Sequence, residues 1–134
     1  MGIQVAWDDT DNKLILLTVT GYWTWQEFYM SMDGMYKMME ASPHEVIDFI
    51  LDMRNGNLFP QNMLSQMQRQ ATHKHAKSGL MIVVGAAAFA RALFSIMERL
   101  LPARMKYIKM AESIDKARNV IMQYRADTIH TRTN

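Results

Sequence analysis

The sequence contains no cysteine, and this absence excludes several kinds of chemistry. Without thiols the chain has no disulfide framework, no thiolate nucleophile and no cysteine-based zinc site. The segment from Met1 to Ala6 also lacks the apolar core of a signal peptide and leads directly into acidic residues. Together these features predict a protein of the reducing cytoplasm.

Recognisable catalytic and metal-binding motifs are missing as well. There is no Ser/His/Asp set, no P-loop and no GxGxxG sequence, so we expect neither enzymatic activity nor a cofactor. His73 and His75 lie two apart on a predicted helix, the wrong spacing for joint metal ligation. Asp9 and Asp11 resemble the opening of a calcium loop, but Leu14 replaces the glycine that such a loop needs, which predicts a plain turn.

Strong charge imbalance and an uninterrupted membrane span are absent too. The chain has 15 basic and 13 acidic residues, and its net charge of +2 does not indicate a nucleic-acid partner. The longest apolar run extends from Gly79 to Met97, but Arg91 interrupts it and Gly85 marks a natural break. We therefore interpret this run as a strand followed by a helix and expect no membrane span.

The 134 residues, 49% of them hydrophobic, suit one globular domain over residues 1–125 with a polar, frayed tail over residues 126–134. Hydrophobic periodicity predicts strands that alternate with helices, and hence an α/β domain. Its sheet should be mostly parallel and five-stranded, with an N-terminal antiparallel hairpin strand and about four helices. The predicted strands are 3–7, 13–20, 46–53, 80–84 and 105–110, and the helices lie between 24 and 42, 60 and 77, 87 and 101, and 113 and 124.

The first predicted helix has a clear start. Thr24 and Glu27 form a capping box, in which the Thr24 side chain accepts a backbone hydrogen bond and Glu27 bonds back to the cap. Ser42 and the following proline end this helix. One stripe of the helix is apolar and aromatic, and it consists of Trp25, Phe28, Tyr29, Met32, Met35, Tyr36 and Met39.

The segment from Phe49 to Leu64 is interpreted as a buried strand, a turn and the start of a helix. The turn is predicted over Asn55 to Asn57, whose residues tolerate positive φ, and Pro60 suits a first helical turn. Asp48 and Asp52 lie four apart on one face of the strand, too far apart to share a proton. We interpret both as solvated or capping groups.

Three strings, in this order and spacing, resemble a STAS domain, the fold of bacterial anti-sigma factor antagonists. They are Ile50 to Met53, Leu80 to Gly85 and Glu112 to Ala117, and the similarity extends over most of the chain from Lys13 to Tyr124. The capping box and the aromatic helix that follows it look closer to the divergent SpoIIAA-like branch. The resemblance implies a regulatory module that binds another protein.

In the antagonists, the second helix begins with a D-S-S-G motif whose second hydroxyl is phosphorylated by a partner kinase. The matching residues here are Pro60 to Met63, which offer no hydroxyl. The resemblance therefore implies a docking surface without the phospho-switch. We expect it to include Asn55, Asn57, Gln61, Asn62 and Ser65. The alternative is that water and the Asn57 side chain satisfy the free amides of this helix start.

A second hypothesis concerns the 14 methionines and the aromatic residues near the carboxyl ends of two strands. Methionine is common at adaptable apolar surfaces, and strand carboxyl ends are where α/β sheets place ligands. A small apolar, lipid-like ligand between the first helix and the strand ends would contact Trp23, Trp25, Phe28 and Phe59. Ordinary core packing is the competing explanation.

The sequence also predicts self-association. Phe94, Ile96 and Leu101 widen the apolar stripe of the third predicted helix beyond what one sheet face needs. The last strand, near Lys106, has the charge pattern of an exposed edge. We therefore expect a homodimer that buries these apolar residues.

Overall fold

The computed structural model describes residues 2–56, 76–85, 91, 95, 98, 99, 102 and 107–133, with side chains described as far as residue 128. Among these residues it contains five strands and two helices. In chain order they are β1 (Ile3–Trp7), β2 (Leu14–Gly21), α1 (Trp25–Ala41), β3 (Ile47–Gly56), β4 (Ser78–Val84), β5 (Ile108–Ala111) and α2 (Ile114–Thr133).

The strands form one mixed sheet in the order β1-β2-β3-β4-β5. β1 is antiparallel to β2, and every other neighbouring pair is parallel. This arrangement confirms the predicted α/β class, the mostly parallel sheet and the hairpin strand at one edge. The helices predicted at 60–77 and 87–101 fall largely outside the described residues, so a count of four helices remains a prediction. The described positions Arg91, Ser95, Glu98 and Arg99 are helical and exposed.

Each face of the sheet is covered by one of the two helices. Because side chains alternate along a strand, neighbouring residues of β2 belong to opposite cores. The core on the α1 side contains Ile15, Leu17, Met35, Met39, Ile47 and Phe49. The core on the α2 side contains Leu14, Ile50, Leu80, Ile82, Val84, Ala117 and Ile121.

β4 has the burial that its continuous apolar sequence predicted. Leu80, Ile82, Val83 and Val84 are all buried, which confirms that the strand is covered on both faces. β4 also accounts for the first part of the apolar run that begins at Gly79. Neither of the two helices in the described ranges is long and apolar enough to cross a membrane.

The hairpin between β1 and β2 is closed by a side chain. The Asp9 carboxylate accepts hydrogen bonds from the backbone N–H groups of Lys13 (3.0 Å) and Leu14 (3.2 Å). Asn12 adopts a positive φ of 59°, a conformation that asparagine tolerates. The plain turn is therefore confirmed. Within the described ranges, no group of three or more His, Asp or Glu residues is arranged to hold a metal ion.

The start of α1 confirms half of the predicted capping box. Thr24 Oγ1 accepts a hydrogen bond from the backbone N–H of Glu27 at 3.1 Å. The Glu27 carboxylate, in contrast, accepts the N–H of Gly2 at 3.0 Å, which ties α1 to the chain just before β1. At the other end, Lys77 Nζ donates to the carbonyl oxygens of Met39 (3.0 Å) and Ser42 (2.9 Å).

Two element boundaries differ from the sequence prediction. The turn with positive φ predicted over Asn55 to Asn57 is wrong for its first two residues, because β3 continues through Asn55 and Gly56 and pairs them with the end of β2. Asn57 lies outside the described residues. The tail predicted to fray from Ala126 instead continues α2 to Thr133. In this part of α2, Thr128 Oγ1 donates to the Tyr124 carbonyl at 2.8 Å, the i to i−4 bond through which a threonine hydroxyl finds a partner within a helix.

Candidate functional site

The carboxyl ends of β2 and β3 lie side by side at one edge of the sheet. Thr20 pairs with Asn55 and Gly21 pairs with Gly56, so the connection from β2 to α1 begins next to the end of β3. Ligands of α/β sheets bind outside such carboxyl ends. We call this end of the sheet the carboxyl edge; it is formed by strand ends and differs from the outer strands of the sheet. Both sequence hypotheses placed their binding residues there.

A β-bulge shapes the end of β3. Thr18 pairs with Asp52 but Thr20 pairs with Asn55, so β3 contains one extra residue between these two pairs. Such bulges bend a strand and redirect its side chains, and they are over-represented beside active sites. After the extra residue, Asn55 and Gly56 pair with the end of β2, so the strand continues where the sequence suggested a turn.

Asp52 and Arg54 form a two-point ion pair on this bulge. Arg54 Nε donates to Asp52 Oδ1 and Nη2 donates to Oδ2, both at 2.9 Å, and the Arg54 backbone N–H donates to Oδ1 at 3.1 Å. The Asp52 residue is only 6% exposed, whereas the Arg54 side chain is 48% exposed. A buried carboxylate therefore holds a guanidinium that stays accessible to solvent.

The pair is fully charged at neutral pH. The hydrogen bond from the Arg54 guanidinium lowers the pKa of the Asp52 carboxyl, and burial opposes this effect without overcoming it. The same bond raises the pKa of Arg54 further above its already high value. Because both groups keep their charge near neutral pH, neither is suited to proton transfer there.

The prediction that Asp48 and Asp52 are solvated is wrong for both residues. Asp48 is 2% exposed; its Oδ2 accepts from Arg125 Nε at 2.7 Å and its Oδ1 accepts from the Leu80 N–H at 2.8 Å. Neither aspartate caps one of the two described helices. Both lie on the α2 side of β3, and buried carboxylates need charged or N–H partners because desolvation is costly.

Three of the four aromatic residues predicted to contact an apolar ligand, Trp23, Trp25 and Phe28, lie together at the carboxyl edge. The ring centroids of Trp23 and Trp25 are 5.1 Å apart, and Phe28 lies 6.0 Å from Trp23 and 5.4 Å from Trp25. Tyr29 joins this aromatic cluster at 5.8 Å from Phe28. The Nε1 atom of Trp23 is buried and has no hydrogen-bond partner within the part of the chain that the structure describes.

Only part of the predicted site can be placed. Asn55, the residue that follows Arg54, is exposed at the end of β3. Asn57, Phe59, Gln61, Asn62 and Ser65 lie outside the described residues. The structure therefore brings Trp23, Trp25 and Phe28 together and places Asn55 on the same edge.

Sequence reasoning missed Arg54 and its ion pair. The signal was present, because Asp52 and Arg54 are two residues apart on one strand, the spacing that places side chains on one face. It also missed Arg118, which binds the Asp8 carboxylate through Nε and Nη2 at 2.8 Å each. That contact joins residues 110 positions apart, and nothing local in the sequence indicates it.

Compared with protein-family models, with curated proteins and with solved structures, the chain matches none of them significantly. Its class is therefore defined by the described fold alone, an α/β domain with a five-stranded mixed sheet.

Proposed function

We propose that this protein is a non-catalytic, STAS-like regulatory module of the cytoplasm that binds a protein partner at its carboxyl edge. The proposed surface begins at Arg54 and Asn55 and continues through the segment to Leu64. By the resemblance of the sequence it corresponds in position to the docking surface of anti-sigma factor antagonists, but it lacks their phosphorylatable serine. The observation that carries the proposal is the half-exposed Arg54 guanidinium, held on the β3 bulge by buried Asp52.

A guanidinium held in this way is suited to partner recognition. Arginine is enriched at protein interfaces and among the residues that dominate binding energy. Because Asp52 already restricts the Arg54 side chain, less conformational entropy is lost when a partner binds. The adjacent Asn55 side chain is exposed and adds amide donors and an acceptor beside the charge.

An exposed aromatic side chain lies on the same edge. Tyr22 follows β2 directly and is 82% exposed, although large apolar side chains are usually covered. Tyrosine offers a large contact area together with a hydroxyl group, and it is enriched at interfaces for this reason. A partner that covers Arg54 and Asn55 would also be able to cover Tyr22.

The proposal is tested by comparing the partners captured from the native host. The variants Asn55→Arg and Gln61→Arg plus Asn62→Arg place bulky charge on the proposed surface, and Asn119→Arg places the same charge on an exposed position of α2. Quantitative mass spectrometry of the captured proteins should show the same partner depleted by both surface variants and retained by Asn119→Arg. Equal capture by all the proteins would reject this surface.

One observation favours a second function, the binding of a small apolar ligand. Among the described residues the buried Nε1 of Trp23 has no acceptor. A buried indole N–H without an acceptor costs free energy, which is a reason to expect a ligand that supplies one. The ligand would be lipid-like, with an oxygen acceptor near Trp23 and an apolar body against Trp25 and Phe28. Core packing of the aromatic cluster remains the competing explanation.

Native mass spectrometry of the freshly purified protein tests this second function. Bound lipid would appear as a defined mass increase, and Trp23→Phe, which keeps an aromatic ring but removes the N–H, should reduce it. Tyr22→Phe, on an exposed neighbouring side chain, is the matched control and should not. A protein that carries no adduct after purification and after incubation with host lipid extract would leave core packing as the explanation.

A further inference from the structure

The outermost strand on one side of the sheet, β1, is uncharged and has a regular set of outward-facing backbone groups. β1 consists of Ile3, Gln4, Val5, Ala6 and Trp7, and β2 is its one strand neighbour among the described elements. The Thr20 N–H donates to the Gly2 carbonyl and the Asp8 N–H donates to the Leu14 carbonyl, at 2.7 and 2.8 Å.

These two bonds establish which backbone groups of β1 point outward. In an antiparallel pair, hydrogen-bonded positions alternate with positions whose N–H and C=O groups point away from the partner. Gly2 and Asp8 belong to the hydrogen-bonded set, so the even-numbered residues bond to β2. Ile3, Val5 and Trp7 therefore direct their N–H and C=O groups away from the sheet.

The outermost strand on the other side of the sheet, β5, is better protected against pairing with another chain. β5 is only four residues long and carries the exposed Lys109 within it. Short length and an exposed lysine are common devices that prevent an edge strand from pairing with another chain. β1 has neither a charged residue nor a proline. It is thus the less protected of the two edges.

We propose that β1 pairs with β1 of a second copy of this chain, antiparallel and with a two-fold axis through Val5. In this register Ile3 lies opposite Trp7 of the second copy, and Val5 lies opposite its own equivalent. Every outward N–H and C=O group of the three residues then meets a complementary group. The two five-stranded sheets become one continuous sheet, and the contact closes as a dimer.

The side chains fit the same register. Val5 and Trp7 lie on the α1 side of the sheet, where the register places Trp7 opposite the β-branched Ile3, a favourable cross-strand pair. Gln4 lies opposite Ala6 of the second copy. Both are exposed and uncharged, so no like charges meet. This dimer is independent of the proposed partner binding and uses a different surface from the one predicted around Phe94.

The register is tested with charges placed at Gln4 and Ala6, whose side chains are exposed. Sedimentation equilibrium of the wild type at micromolar concentration should give twice the chain mass of 15.6 kDa. The variant Gln4→Lys plus Ala6→Lys places like charges opposite each other twice and should weaken dimerisation by about tenfold or more. Gln4→Lys plus Ala6→Glu places opposite charges there and should restore the dimer.

Cross-linking gives a second test that does not depend on the charged variants folding normally. The chain has no cysteine, so Gln4→Cys and Ala6→Cys each introduce a single thiol. A mixture of the two variants should form a disulfide-linked dimer under mild oxidation, and each variant alone should form much less. A monomeric wild type, or equal cross-linking in the mixture and in the separate variants, would overturn the proposed pairing.

Discussion

The guanidinium of Arg125 on α2 binds the buried carboxylate of Asp48 on β3, with 2.7 Å between Nε and Oδ2. Arg125 Nη2 also donates to the Lys13 carbonyl at 3.1 Å, and Asp48 Oδ1 accepts the Leu80 N–H at 2.8 Å. The ion pair therefore joins α2 to β3, and the hydrogen bonds of the same two side chains extend the connection to β4 and to Lys13, the residue before β2.

We expect Arg125→Met to destabilise the protein by about 3 kcal/mol, because it leaves the Asp48 carboxylate buried without its charged partner. Arg91→Met makes the same chemical change at an exposed position and should alter the free energy of unfolding by less than about 0.5 kcal/mol. Urea denaturation of both variants measures this difference. Equal stabilities would show that the ion pair contributes nothing to the fold.

The Asp48 side chain also leaves no room for a side chain at position 79, which is glycine. A Cβ atom at this position would overlap Asp48 Oδ1 and lie 2.8 Å from Val46 Cγ1, so we expect Gly79→Ala to cost about 2 kcal/mol. Gly34, within α1, has no atom within 4 Å of its added Cβ, and Gly34→Ala should stabilise by about 1 kcal/mol. Thermal unfolding should move the two midpoints in opposite directions; a Gly79→Ala midpoint at or above that of the wild type would refute the packing described around Asp48.

The ion pair on the β3 bulge predicts a specific dependence of stability on pH. The folded-state pKa of Asp52 is lowered, chiefly by the Arg54 hydrogen bond, so the pair stabilises the fold above the unfolded-state pKa of about 4. This contribution is lost as the pH falls through the lowered folded-state pKa. Arg54→Met should raise the Asp52 pKa, observable by NMR titration of its carboxyl carbon. An unchanged titration midpoint in the variant would exclude Arg54 as the cause.

The absence of a hydroxyl at the predicted helix start has a consequence for regulation. Because Gln61 and Asn62 cannot accept a phosphoryl group, we expect binding that phosphorylation does not switch. Incubation with ATP and the anti-sigma kinases of the host, followed by mass spectrometry of the peptide from Arg54 to Arg69, measures this directly. Stoichiometric phosphate on Ser65 would contradict the prediction.

The sequence predicted those features of the fold that depend on neighbouring residues. Alternation and helical spacing located the five strands and the two described helices, and Thr24 accepts the expected backbone bond at the start of α1. Contacts between distant segments carried no such signal. Asp48 and Arg125 are 77 positions apart, and the burial of Asp48 depends on how α2 crosses the sheet.

The candidate site was predicted in its location more than in its chemistry. The carboxyl edge follows from parallel strands, and Trp23, Trp25 and Phe28 are close in sequence, so their proximity was foreseeable. The β3 bulge was not, because asparagine and glycine suit a turn as well as a strand with an irregular register. Arg54 was missed although its spacing of two residues from Asp52 was visible in the sequence.

The central claim is that a protein partner contacts the carboxyl edge, and site-specific photo-cross-linking in the native host tests it most directly. A photoreactive phenylalanine analogue is placed at Asn55 and, in a matched control, at Asn119 on α2. We predict a discrete cross-linked protein from position 55 that is absent from position 119. No product at position 55, or the same products at both positions, would contradict the account.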